Sequence, residues 1–307
     1  MPPRTLVAAA LVAAACSTAP QPPADSRYAP TQSVLEMVAL LRLHVEDDTY
    51  RFPPARDFTG KNVYRAVFER LESLEQIHAG KFGSGYMTDV LWFSKARALE
   101  RLAEYDLAAL HYRRTAELDS PLVEAAVQGH EICEALSDAR RIRPPPDVPL
   151  NDALETFRRR GDALQELREL AGETHYRYVL QEELERVDRE RADYFSARSG
   201  LEPSLDAVAL QQQQEVAQTH RESKLHPRHL LALADQYADM SRRNAARFPA
   251  TGLDFDPAVF DDYAFGATRL YEAVSHRDGA IEKLEAVSKL EAFLAFTLQI
   301  YDERIPR

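Results

Sequence analysis

Glycine is scarce in this chain, with 11 residues in 307, and tryptophan occurs once. So few glycines leave little material for phosphate-cradling loops or for the turns of a strand-rich fold. Cysteine occurs twice, which rules out a disulfide framework of the kind that staples small secreted domains. A basic surplus is also missing, because 38 Lys and Arg face 49 Asp and Glu for a formal net charge of −11. That balance argues against a nucleic-acid partner and against electrostatic docking on anionic lipid. The longest apolar run, Leu6–Ala15, is far short of the roughly 20 residues that span a bilayer.

What is present begins with that run. One basic residue (Arg4) precedes it, and the small residues Ala13, Ala14 and Ala15 lead into Cys16. The stretch "LVAAALVAAACSTAP" resembles the lipobox of bacterial lipoproteins, with Ala13 where that family usually has Leu. The resemblance implies cleavage before Cys16, acylation of its sulfur and new N-terminus, and anchoring by several acyl chains. Ser17 after the cysteine implies, by the same resemblance, the outer membrane facing the periplasm. The alternative is ordinary secretion, with cleavage after the alanine run. Cleavage would remove residues 1–15 and leave Cys133 as the lone thiol; "HEICEAL" places it on an apolar helical face, as a buried small side chain.

Apolar residues elsewhere recur three and four apart, bounded by Asn, Asp, Ser, Thr and Pro, so the expected fold class is all-α. Residues 16–31 read as the lipidated cysteine and a Pro-rich linker. Residues 32–143 read as an N-terminal helical domain and 144–307 as a C-terminal helical region, divided at Pro144, Pro145 and Pro146. Gly80 is placed to close a helix over 62–80, and Ser120-Pro121 and Asp256-Pro257 to open later ones. The segment 152–198 predicts a long charged helical hairpin with most of its perimeter in water. Helices follow within 204–303, the last three near 227–247, 257–275 and 280–303.

"LWFSKARALERLAEYDLAALHYRRTAELDSP", residues 91–121, resembles a tetratricopeptide repeat (TPR). Trp92 takes that family's first aromatic place, Ala96 and Ala108 the small positions where two helices cross, and Tyr112 the second aromatic place. Thr115 stands where the family has Ala, and Pro121 comes one residue late. Thirty-four residues on, the small positions fall on His130 and Ile142; a partial echo returns at Ala267, Tyr271 and Val274. The resemblance implies a hairpin over 88–119 within a degenerate array of stacked helix pairs, and a protein-binding scaffold rather than a catalyst.

Motifs for chemistry are incomplete. "TGKN" lacks the second glycine of a phosphate loop, since Ala55 stands there, and "KFGSGY" has Phe82 in place of the first glycine of a nucleophile elbow. His220, His226 and His229 lack metal-site spacing, and Asp254, Asp256, Asp261 and Asp262 lack the glycine and terminal acid of a calcium loop. No catalytic, metal or cofactor residue is assigned. The expectation is a lipid-anchored envelope adaptor that binds another protein through its helical surface, without nucleic acid or cofactor. The alternatives are an envelope enzyme or substrate-binding subunit with a groove between helices, or a structural spacer. A convergent buried acid or histidine in such a groove would favour the enzyme.

Overall fold

The computed structural model describes residues 29–43, 50–145 and 148–304; Cys16, the leader and residues 17–28 of the linker lie outside them. The described chain is all-α, and among those residues there is no strand. The helices are α1 (Pro30–Leu43), α2 (Val63–Ile77), α3 (Ala79–Phe82), α4 (Thr88–Arg101), α5 (Tyr105–Ala116) and α6 (Val123–Arg141). Then come α7 (Leu150–Ala171), α8 (Tyr176–Ser199), α9 (Asp206–Thr219), α10 (His226–Arg247), α11 (Pro257–Ser275) and α12 (Lys283–Glu303).

Each long helix packs chiefly on its neighbours in sequence, so the chain advances as successive antiparallel hairpins. Local chemistry sets the boundaries. Asn62 caps α2 by accepting from the Tyr64 and Arg65 amides, and Asp256 caps α11 through the Ala258 amide, just before Pro257. Ser120 accepts from the Leu122 amide, but α6 begins only at Val123. Gly80 does not close α2. His78 does so, and Gly80 lies inside α3, whose Phe82 is buried against the first core. Ala103 turns the chain between α4 and α5 at φ +59°, and Arg140 holds its carbonyl.

Three apolar clusters fill the interior: one under α1, α2 and α4, a large one across α4 to α8, and one across α10 to α12. Cys133 is fully buried in the second. Ala96, Ala108 and Tyr112 also lie there with no exposed surface. Trp92 does not share their crossing. It turns toward α2, where its indole N–H donates to Glu75 (2.7 Å), and Phe93 meets the Tyr112 ring edge-on instead.

The small residue opposite Tyr112 is Gly129 of α6, one place before His130. A Cβ there would stand 2.9 Å from the Tyr112 ring, which is walled in on every side. Gly266 of α11 receives Tyr237 of α10 in the same manner. In each case a tyrosine face lies on a bare helix backbone, which sets how closely the two helices approach.

The charged hairpin α7–α8 is present, and its helices differ: α7 keeps an exposed charged face that includes Glu155, Arg158 and Asp162, whereas α8 is not solvated around its perimeter. No residue from Tyr178 to Ala192 is exposed. Arg160 and Glu183 have none of their surface in water, and Glu185 has 1 %. The charges of α8 face partners on neighbouring helices rather than solvent, while most charges of α7 face water.

Two tests follow from these contacts. Gly129→Ala should destabilise by about 1–3 kcal/mol through overpacking, whereas Gly161→Ala in α7, where a Cβ meets nothing, should stabilise by up to about 1 kcal/mol. Denaturant melts that move both variants the same way would refute this packing account. His111 is buried beside Lys95 and Arg114, and burial first, then those charges, push its imidazole from 6.5 down to about 4. The unfolded chain therefore binds a proton between those values that the folded chain refuses, and stability drains as pH falls through that window. His111→Phe should remove this loss, on the order of 2–3 kcal/mol between pH 7 and 4 relative to wild type.

Candidate functional site

Helix α8 carries acids on several sides, and each is met by a different part of the chain. Glu183 accepts from the Tyr105 hydroxyl on α5 (2.9 Å), with Arg140 of α6 and Arg160 of α7 each 3.8 Å away. Arg160 also donates to Glu190 (2.6 Å). Glu185 accepts from His229 Nε2 on α10 (2.6 Å), with both side chains almost wholly buried. Glu182 pairs with Lys224, yet burial outweighs that cation and pushes its carboxyl up to about 7.

Asp188 accepts from His220 Nε2 (3.0 Å), whose Nδ1 accepts from the Tyr50 hydroxyl (3.0 Å). This chain of acid, imidazole and hydroxyl has the connectivity of an activated nucleophile. Its electrostatics run the other way, since burial and then Glu185 push the Tyr50 phenol up to about 12. Tyr50 is held protonated, as the donor of a structural hydrogen bond. Two neighbouring contacts reinforce this bond: the Lys224 amide donates to the Tyr50 carbonyl (2.8 Å), and Arg51 pairs with Glu222 (2.6 Å). Together they clasp the α1–α2 connection to the α9–α10 turn.

A second buried system joins α4 to the α7–α8 turn. Glu100 accepts from Tyr112 (2.8 Å) and from His175 Nε2 (2.8 Å), and Arg97 donates to His175 Nδ1 (3.0 Å). Burial alone would raise the Glu100 carboxyl, but His175, Arg97 and the Tyr112 hydroxyl outweigh it and hold it down to about 2. Every acceptor oxygen of this carboxylate is used inside the fold. The Cys133 thiol nearby is pushed far up by burial, which leaves it inert.

An open concave site lies beyond these networks. A cavity of about 350 Å3 sits between α8, α10 and the start of α12. Arg189 and Asp193 form one wall, Arg228 and Asp235 a second, and Ile281 and Glu282 a third. Asp235 is already occupied by Tyr271 (2.7 Å) and Lys289 (2.7 Å). No hydrogen bond or ion pair joins Arg189 or Arg228 to any described residue. Burial and the like charge of Arg228 push the Arg189 guanidinium down from its usual range. The cavity opens beside α12, where Leu284, Leu294 and Leu298 are 81, 40 and 63 % exposed. At 100° per residue these leucines fall within one stripe roughly 80° wide, which the exposed Glu291 interrupts.

Of the residues singled out in the sequence, Ala96, Ala108 and Tyr112 belong to the core, Trp92 to the α2–α4 contact, and Cys16 lies outside the described residues. His220 and His229 have ring centres 6.1 Å apart but are committed to separate carboxylates, and no group of three potential metal ligands occurs among the described residues. Sequence reasoning missed Arg189 and Arg228, which sit in charge-dense helices without a motif. The chain matches no family model and no curated protein.

The Glu185–His229 pair offers a direct test of the buried charges. Removing one partner strands the other, so Glu185→Leu should cost about 3–5 kcal/mol, whereas the double variant Glu185→Leu/His229→Leu should recover much of that loss. Additive losses in chemical denaturation would rule out direct coupling.

Proposed function

We propose that the protein is a helical-repeat adaptor of the bacterial envelope, tethered through an acylated Cys16 and binding a partner protein on the surface formed by α8, α10 and α12. One observation carries the reading: exposed leucines on α12 lie on the same helix as one wall of a cavity that holds Arg189 and Arg228, neither hydrogen-bonded nor ion-paired to a described residue. Solenoids normally close with a polar outer face, and an open apolar one calls for a cover. Exposed leucines near a cavity that mixes two arginines with Asp193, Asp235, Glu282 and Glu285 suit a partner that brings apolar side chains and charges of both signs. Among the described residues no helix is long and apolar enough to cross a membrane, so the tether carries the membrane contact in this reading.

The enzyme alternative draws on the Tyr50–His220–Asp188 connectivity. It suffers from a phenol held protonated and from burial that leaves Tyr50 with 4 % of its surface in water.

In-cell cross-linking with a C-terminal tag, followed by envelope solubilisation, tests the adaptor. Wild type should capture one envelope protein in stoichiometric yield. Leu298→Asp and Arg228→Glu should each lose it while keeping the wild-type melt, and Cys16→Ser should reduce it by removing the tether. A partner retained in both surface variants would move the interface elsewhere, and no reproducible partner would overturn the adaptor.

A further inference from the structure

A second cavity, of about 420 Å3, lies between α1, α4 and the residue that opens α6. Its size is within the range of about 300–1,000 Å3 typical of small-molecule sites. Its two ends differ in chemistry because α1 and α4 run parallel. The Thr31 hydroxyl, at the start of α1, lies 2.8 Å from the Tyr86 hydroxyl, just before α4 begins. Ser120, beside Leu122, donates to Asp89 in the first turn of α4 (2.5 Å), which brings the start of α6 to that same end. Leu35, Val90 and Leu122 therefore share one end of the cavity. Val38 and Phe93 follow one turn on, and Arg42 and Arg97 share the far end. From Leu35 to Arg42 the wall runs seven residues, about 10 Å at the helical rise.

No carboxylate lines this cavity. Arg97 spends one nitrogen on His175 and keeps 23 % of its side chain exposed. Its charge is offset by Glu100, 3.8 Å away. Arg42 is exposed and makes no hydrogen bond or ion pair with any described residue. An apolar slot lined at one end by hydrocarbon and fronted at the other by a guanidinium with no carboxylate partner among the described residues complements an amphiphile with a negative head. We infer that this cavity binds a linear aliphatic carboxylate, its chain between α1 and α4 and its carboxylate on Arg42 and Arg97. The planar, many-donor guanidinium suits a carboxylate head, and the apolar end excludes small polar anions. This site is separate from the α12 surface, and its test does not depend on the adaptor.

Titration calorimetry of the full chain with decanoate, decanol and decylamine reads the assignment. Decanoate should bind saturably, one per chain, with a heat of binding that becomes more negative as temperature rises, the mark of apolar burial. Decanol should bind more weakly and decylamine weakest. Arg42→Glu, at an exposed position, should weaken decanoate roughly tenfold or more, the scale of one charge-assisted hydrogen bond. Leu35→Trp, which fills the apolar end from the half-exposed wall, should abolish all binding. If Leu35→Trp fails to fold, Arg42→Glu with its wild-type melt decides alone. No saturable decanoate binding, decylamine binding equal to decanoate, or an unchanged Arg42→Glu would each overturn the site.

Discussion

The structure depends on the burial of the charges of α8. An ionised carboxylate removed from water costs several kcal/mol unless its hydrogen-bonding capacity is met inside the protein. Glu182, Glu183, Glu185, Asp188 and Glu190 draw partners from α5, α6, α7, α10 and the turn before α10. Five pieces of chain must arrive correctly for one helix to be tolerated where it is. Apolar packing brings the hairpins together, and these carboxylates make the arrangement specific: a neighbour shifted by one turn would strand an acid in a low dielectric.

Both tyrosine–glycine contacts act at a different scale. Gly129 and Gly266 let Tyr112 and Tyr237 lie against a backbone, and each tyrosine hydroxyl then reaches a polar partner, Glu100 in one case and Gln214 in the other. The ring sets the separation from the helix that follows, and the hydroxyl ties the tyrosine's helix to the long helix that precedes it. Similar solutions in two distant hairpins fit an array whose units share packing logic while sharing little sequence.

Helix positions and the cap at Asp256-Pro257 were legible from spacing alone, because that cap and the small residues Ala96 and Ala108 act through bonds within a few residues or through size. The burial of α8 was not legible. Periodicity says which residues share a face, but not whether that face meets water or the matching polar groups of Tyr105, Arg160 and His229, the first of them 78 residues from its partner. Gly129 escaped because a rigid repeat length pointed to His130, one residue on. The arginines of both cavities were invisible for a simpler reason: a cation is unmatched only relative to neighbours that the sequence does not identify.

The clasp between Tyr50 and the turn at 220–224 changes the topology of the whole object. An array joined only between successive hairpins can fray from either end, one unit at a time. Here residues 170 positions apart are tied by hydrogen bonds at Tyr50, so α2 through α9 form a closed loop rather than an open spring. A load applied near the first helix is shared by both ends of that loop before any single hairpin bears it. The clasp is the buckle of a strap: it must open before the hairpins between it can separate one by one.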